Sequence, residues 1–237
     1  MSKTKLTILM PVRNEGEVLQ KTLNVMKAIV DVPHEVLVVH DDEVDDSIPV
    51  VKALKGYPQV RCVHNKLGRG VANAVKAGVE SAKGEYVFIT VADDFGPLFS
   101  IGKMISHMDK GHDFVSGTRY SDGGRVHGGS FIGGMFSRVA NKLFYHLAGS
   151  KLTDSTVGFK MFRRSVFGRI ELDARPVGWL VGFEMSIKAQ LVGLRMGEIP
   201  IISINRMYGG ASTFKFRAWT WEYFKWFLHG IKILRGK

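Results

Sequence analysis

The chain has 237 residues, 45% of them apolar and 11% aromatic, which is enough to bury the core of one globular domain and excludes a disordered segment. A single cysteine, Cys62, excludes a disulfide framework and any multi-thiolate metal site, and no run reaches the roughly 18 apolar residues of a membrane span. The net charge of +11 is unevenly placed: residues 1–122 hold 15 Lys or Arg against 16 Asp or Glu, residues 123–237 hold 18 against 6. A basic half calls for an anionic partner: nucleic acid, an anionic membrane surface or a phosphorylated substrate.

Residues 6–12 form an apolar run ending at Pro11, followed by Arg13, Asn14, Glu15 and Gly16. Val18, Leu19, Leu23, Met26 and Val30 then recur at helical spacing. A second run, residues 36–39, ends in Asp41, Asp42, Glu43, Asp45 and Asp46. Residues 48–54 read as a short helix and 60–63 as a third strand. A glycine-rich turn, Asn65 to Gly70, leads into a helix through Ala72, Val75, Val79 and Ala82. Residues 86–91 are a fourth, nearly unbroken apolar run of the kind buried on both faces of a parallel sheet. It ends in Asp93 and Asp94, followed by the chain breakers Gly96 and Pro97. Strand and helix alternating in this way predict a doubly wound α/β fold with right-handed crossovers.

Past Pro97 the pattern predicts a helix over 98–108 and a strand over 113–117 that leads into Thr118, Arg119 and Tyr120. Residues 121–134 hold six glycines and read as a mobile loop. Helical spacing resumes over 131–147. A strand is expected over 158–162, a helix over 182–192 and a strand over 197–204. No internal repeat or linker divides the chain, so one domain is expected.

Ligands of open α/β sheets bind outside the carboxyl ends of the strands, where the polar residues after Pro11, after His40 and after Ala92 can line one crevice. Carboxylates at the second strand end can accept hydrogen bonds from base or ribose donors. The pair after the fourth strand suits a hard divalent cation carrying substrate phosphates. Asp41, next to a strand end, reads as functional, whereas Asp45 and Asp46 read as solvated turn residues. The turn ending at Gly70 is neither a Walker motif nor a dinucleotide fingerprint, although glycine before a helix lets backbone N–H groups approach a phosphate or ribose.

Together these residues resemble a known family. Pro11-Val12-Arg13-Asn14-Glu15, the acidic second strand end, Gly68-Arg69-Gly70 with Ala74 and Gly78, and Ala92-Asp93-Asp94 through Pro97 are similar to family-2 glycosyltransferases of the GT-A fold. Gly117-Thr118-Arg119-Tyr120, Asp154 through Lys160, Gly182-Phe183-Glu184, and Arg206 with Gly210, Ser212 and Lys215 resemble its polyprenol-phosphate (dolichol-phosphate) mannosyl- and glucosyltransferase branch. The resemblance implies a GDP- or UDP-hexose donor, Mg²⁺ or Mn²⁺, inversion at the anomeric carbon and a lipid-phosphate acceptor. It implies donor contacts from Pro11, Arg13, Asn14, Glu15, Asp41, Gly70, Asp93, Asp94, Arg206 and Lys215, with the metal on Asp93 and Asp94. Arg119 and Arg138 become candidates for phosphate, since guanidinium groups grip phosphates bidentately. Asp154 either orients the sugar or caps a turn.

Asp93, Arg119 and Glu184 are the catalytic candidates. Glu184 falls where relatives that glycosylate hydroxyl groups keep a general base, but an anionic phosphate acceptor needs none. The chain departs from the family at one place. Counting back from Pro97, the second Asp of the usual Asp-any-Asp motif is Asp93, Val91 stands at the first, and a further ligand position falls on Phe95. Asp94 is an extra acid one position late.

From residue 214 onward, Glu222, Lys225, His229 and Lys232 form a polar stripe opposite Phe216, Trp219, Tyr223, Phe227 and Leu234, with Trp226 and Ile231 alongside. A helix in a membrane interface and a helix packed on its own domain or a partner both fit. The expectation is one GT-A domain over 1–213 and an amphipathic aromatic helix over 214–237, in a cytoplasmic protein touching the inner membrane face, since no signal-peptide pattern precedes the first strand. A nucleotide-sugar-binding protein without catalysis is the first alternative, suggested by Val91. A nucleotidyltransferase lacks its glycine- and arginine-rich signature here, and nucleic-acid binding would leave the acidic crevice unexplained.

Overall fold

A computed structural model describes residues 4–204 and 216–236. Its centre is a seven-stranded sheet built from β1 (Leu6–Val12), β2 (His34–His40), β3 (Val60–His64), β4 (Tyr86–Ile89), β5 (Phe114–Thr118), β7 (Lys160–Arg163) and β8 (Met196–Pro200). The order is β3-β2-β1-β4-β7-β5-β8, and only β7 runs against its neighbours. Successive strand residues point to opposite faces, and both faces are covered. Leu6, Ile8, Met10, Tyr86 and Phe88 pack on one side with α1 (Gly16–Ile29) and α4 (Ile101–Asp109). Leu9, Val87 and Ile89 pack on the other with α3 (Val71–Ser81) and α6 (Leu180–Leu191). This two-sided burial is why the strands read as unbroken apolar runs.

Three expectations need correction. The glycine-rich segment contains a short strand, β6 (Arg125–His127), which pairs in parallel with β9 (Ile202–Ile204). The expected last strand is split into β8 and β9, so its second part leaves the main sheet. The helix expected from residue 98 opens as a 3-10 turn, Gly96–Ser100, with Pro97 at its start, where the missing N–H costs nothing. The short helix α2 (Ser47–Ala53) forms as expected.

Helix α5 (Phe131–Ala148) is capped by Ser130 Oγ, which accepts from the N–H of Gly133 (3.2 Å), and ends at Gly149 in the left-handed region (φ 64°). It packs with α6 and α7 (Phe216–Arg235) in a third apolar cluster around Phe144, Leu180, Phe183 and Ile187. Tyr223, Trp226, Phe227, Ile231 and Leu234 of α7 lean into this cluster. Of the two roles that the pattern left open for the aromatic arc, membrane interface and packed helix, most of the arc takes the second and faces its own domain.

Candidate active site

The register of the sheet sets the site. Leu37, Leu9, Ile89, Lys160 and Ser116 lie in one row across β2, β1, β4, β7 and β5. Counting on from that row, Asp41 and Asp93 each stand four residues further, Arg13 also four, and Arg119 three. The strand ends thus present these side chains along one edge, as the sequence required. Pro11 lies past Ile89, the last β4 residue, where β1 has β2 as its only strand partner among the described residues and a residue without N–H is tolerated.

The loop after β1 is clamped by groups that sequence reasoning assigned to solvent. Asn14 takes a positive φ (55°) and donates its N–H to Asp45 Oδ2 (3.0 Å). The N–H of Glu15 reaches Ser47 Oγ (3.2 Å), and that of Gly16 reaches Asp46 Oδ1 (2.8 Å). These bonds satisfy donors at the open N-terminus of α1. A Cβ on Gly16 would lie 2.7 Å from the Asp46 carbonyl oxygen. Asp45 is buried and also accepts from the N–H of Ser47 (2.9 Å), so it is a structural clasp rather than a solvated turn residue.

Asp41 is held as firmly. Its Oδ1 accepts from Asn65 Nδ2 (2.7 Å) and its Oδ2 from the N–H of Gly70 (3.0 Å). Asn65, which sequence reasoning passed over, also donates to the Gly68 carbonyl (2.8 Å) and accepts from the N–H of Leu67 (3.0 Å). Asp41 and Asn65 together shape the glycine-rich turn, and the Gly70 N–H expected to face a ligand is engaged by Asp41. Gly70 sits at φ 124°, and a Cβ there would come within 2.6 Å of Pro176, so glycine alone fits.

Asp93 and Asp94 differ sharply. Asp94 is buried, its Oδ1 accepts from the N–H groups of Gly96 (3.1 Å) and Ile204 (3.0 Å), and its Oδ2 accepts from Ser203 Oγ (2.6 Å). It ties β9 to the end of β4, and burial pushes its carboxyl upward despite these bonds. Asp93 is partly exposed and takes no hydrogen bond from any described residue. Glu15 faces it: burial, then the charges of Asp93, Asp46 and Asp45, push the Glu15 carboxyl up to about 7. Among the described residues no three His, Cys, Asp or Glu side chains converge into a self-sufficient metal cage. A site resting on one unengaged carboxylate fits an ion whose other ligands are diphosphate oxygens and water, as is usual for Mg²⁺.

Across the crevice, Arg119 meets Asp154 in a two-pronged pair, Nε to Oδ2 at 2.7 Å and Nη2 to Oδ1 at 2.9 Å. Burial opposes both charges, yet each stabilises the other, so Arg119 is held above and Asp154 below its ordinary range. Asp154 is fully buried and thus serves Arg119 rather than opening onto the crevice. Its N–H goes to Glu198 Oε1 (3.0 Å), and Asn141 Oδ1 accepts from the N–H of Ser155 (2.9 Å). Arg119 and the exposed Arg138 both lie over the ring of Tyr120, at 4.9 and 5.3 Å, while Tyr120 donates its hydroxyl to Ser137 Oγ (2.8 Å).

Below this network Lys160 is completely buried, its Nζ donating to Ser116 Oγ and Ser186 Oγ (both 2.8 Å). Burial drives its ammonium down to about 7, against the opposing pull of Asp154 and Glu198. Asn141 and Glu198 were not singled out in the sequence, and Tyr120 and Lys160 stood there only as members of quoted motifs with no role of their own.

Glu184 is also fully buried. Its Oε1 accepts from the N–H groups of Asp173 (2.6 Å) and Ala174 (3.0 Å) and pairs with Lys188 Nζ (2.8 Å). Its Oε2 has no partner among the described residues, and burial raises its carboxyl. Glu184 therefore braces the loop that carries Pro176 to Gly70. Arg206 and Lys215 lie outside the described residues. A cavity of about 470 Å³ opens on the opposite sheet edge, but its Lys5 and Arg163 are paired with Asp109 and Glu85.

Comparison with known proteins agrees with this geometry. The glycosyl transferase family 2 model matches residues 7–171. Dolichol-phosphate mannosyltransferase of Pyrococcus furiosus is 26% identical over 231 residues, covering 94% of this chain and 64% of that protein. Polyprenol monophosphomannose synthase of Mycolicibacterium smegmatis is 27% identical over 180 residues, covering 73% and 68%. The chain thus spans slightly less than two thirds of the archaeal relative. Glucosyl-3-phosphoglycerate synthase of Mycobacterium tuberculosis, solved with Mn²⁺, UDP and phosphoglyceric acid, superposes with a TM-score of 0.71 at 15% identity, covering 96% of this chain and 78% of that one. That likeness shows the shared GT-A arrangement, and with the family match over most of its length, the chain belongs to glycosyl transferase family 2.

Proposed function

We propose that the protein is a metal-dependent, inverting glycosyltransferase that moves a hexose from a nucleotide-sugar donor to a polyprenyl phosphate at the cytoplasmic face of a membrane. The observation that carries the reading is the contrast across the crevice. An unengaged carboxylate, Asp93, stands past the end of β4, and Arg119 stands past β5, two strand spacings or roughly 10 Å along the same edge, sharing the ring of Tyr120 with Arg138 of α5. The names of the archaeal and mycobacterial relatives supply the acceptor class.

The nucleoside would lie along Pro11, Arg13, Asn14, Glu15 and Asp41, with Gly70 at its rim and Arg206 and Lys215 as further donor contacts. Asp93 would hold Mg²⁺ or Mn²⁺ on the donor diphosphate, and a bound ion there supplies Lewis-acid stabilisation of the leaving group. Arg119 keeps Nη1 outside its pair with Asp154, and with Arg138 it would orient the acceptor phosphate. A phosphate oxygen attacks the anomeric carbon from the face opposite the diphosphate. The new C–O bond forms as the bond to the diphosphate breaks, the nucleoside diphosphate leaves with the electron pair, and configuration inverts. The acceptor is already anionic, so no proton need be removed, in keeping with the enclosed Glu184.

The test is transfer by the purified chain from a panel of GDP- and UDP-hexoses to a short, detergent-soluble polyprenyl phosphate, with and without Mn²⁺. Glycolipid formation that requires the ion and is lost in Asp93→Asn is expected. Transfer only to a glycan hydroxyl, abolished by Glu184→Gln, would overturn the acceptor assignment. Donor binding without any transfer would overturn the catalytic one.

A further inference from the structure

Exposed large apolar side chains gather on α5 and α7. On α5, Ile132, Phe136, Val139, Leu143 and Leu147 recur every three or four residues, and all are exposed, Phe136 to 58%. Phe131, at the helix start, is 85% exposed. The inward line of α5 is Ser137, Asn141, Phe144 and Ala148, so the apolar stripe faces away from the domain. This reverses the usual amphipathic helix, which buries its apolar side. On α7, Trp221, Phe224 and Leu228 form a second exposed stripe, distinct from the residues packed in the third cluster. The two helices pack side by side, with the Phe144 and Phe227 ring centres 5.5 Å apart. Monomeric soluble proteins rarely leave such a surface bare.

The charge around the surface decides what fits it. Arg138, Lys142 and His146 run along one flank of the α5 stripe, and α5 contains no acidic residue. The only acid on α7, Glu222, is paired with Lys225 (3.0 Å) and Arg175 (3.6 Å). A second copy meeting this face through the same two helices would bring these cations no unpaired acid. An anionic bilayer accepts both features at once, aromatic and aliphatic groups at the acyl boundary and cations among the headgroups.

We propose that the outer face of α5, continued by Trp221, Phe224 and Leu228 of α7, seats the protein on an anionic bilayer surface. The surface adjoins Arg119, Tyr120 and Arg138, so it rests on the lipid-phosphate reading and deepens it: a bilayer seated there would hold its headgroup level beside those arginines. It also differs from the arc that the sequence pattern singled out, most of which is packed inward.

Co-sedimentation of the purified chain with vesicles tests this without donor or acceptor. Phosphatidylcholine vesicles containing phosphatidylglycerol should capture the protein, and neutral phosphatidylcholine vesicles should capture much less. Salt should weaken capture, since each basic group near an anionic surface is worth roughly fivefold in binding. The double variant Phe136→Ser/Leu143→Ser should lose roughly tenfold or more, the minimum for withdrawing a large apolar side chain from a nonpolar site. Both replacements are on exposed positions, and an unchanged circular dichroism melt would confirm folding. Lys142→Glu gives an independent reading and should weaken capture only by anionic vesicles. Equal capture of wild type and both variants, or no capture of wild type, would overturn the proposal. So would light scattering that shows a dimer dissolved by Phe136→Ser/Leu143→Ser together with no vesicle binding. Transfer to the short soluble acceptor should survive in the double variant. Loss of vesicle binding with transfer intact separates failure of the surface from failure of the catalytic reading.

Discussion

Replacing Asp93 and Asp94 in turn separates a carboxylate kept for a ligand from one consumed by the fold. Asp94→Ala orphans three donors, the N–H groups of Gly96 and Ile204 and the hydroxyl of Ser203. A buried donor left unsatisfied costs about 1–3 kcal/mol. Ser203 can turn its hydroxyl elsewhere, so the two N–H groups dominate and the expected loss is about 3 kcal/mol. For a chain of this length that lowers the melting midpoint by roughly 6–12 °C. Asp94→Asn should be far milder, because its amide oxygen still accepts from both N–H groups and its amide nitrogen can donate to the Ser203 oxygen. Asp93→Asn removes no hydrogen bond and should change stability by less than about 0.5 kcal/mol while abolishing metal-dependent transfer. Urea unfolding of the three variants, beside the transfer assay, makes the comparison. Asp94→Asn as inactive as Asp93→Asn, or Asp93→Asn as destabilised as Asp94→Ala, would refute the assignment.

Asp154→Ala leaves the Arg119 guanidinium partly buried without its partner and should cost about 3–5 kcal/mol in urea unfolding, with much of that loss recovered in Arg119→Met/Asp154→Leu. Lys160 titrates near 7 in the fold and well above that when unfolded, so the unfolded chain binds more protons between those values. Stability should therefore rise from about pH 7 towards about pH 10, by at most about 1.4 kcal/mol per pH unit from this group, and Lys160→Met should remove that component of the slope. Gly70→Ala should lower stability by about 2 kcal/mol or more, from both the positive φ and the contact with Pro176. An unaltered urea midpoint would mean that the loop bearing Pro176 yields without cost.

The row of strand ends was legible because each buried strand stops where apolar residues give way to acids or an arginine, a change visible in one dimension. Asp41, Asp93 and Arg119 were found for that reason. What a side chain does after the strand ends was not legible. Asp45 and Asp46 look like a charged turn, yet they close the open end of a helix 30 residues earlier in the chain. Asp94 looks like the twin of Asp93 until β9, more than 100 residues away, brings two donors to it. Partners that distant leave no local period. The role of the aromatic face of α7 was left open for a related reason: two apolar stripes share the helix, and only the positions of α5 and α6 show which one is covered.

The single inward line of α5 has a mechanical consequence. Of the four residues on that line, two also hold the phosphate-side network: Ser137 receives the Tyr120 hydroxyl, and Asn141 accepts from the backbone of Ser155 next to Asp154. The first turns of the helix project beyond these supports, with every residue from Phe131 to Phe136 exposed. The helix is thus a lever with its fulcrum beside Arg119. A load on its free arm is delivered directly to the groups that aim the guanidinium.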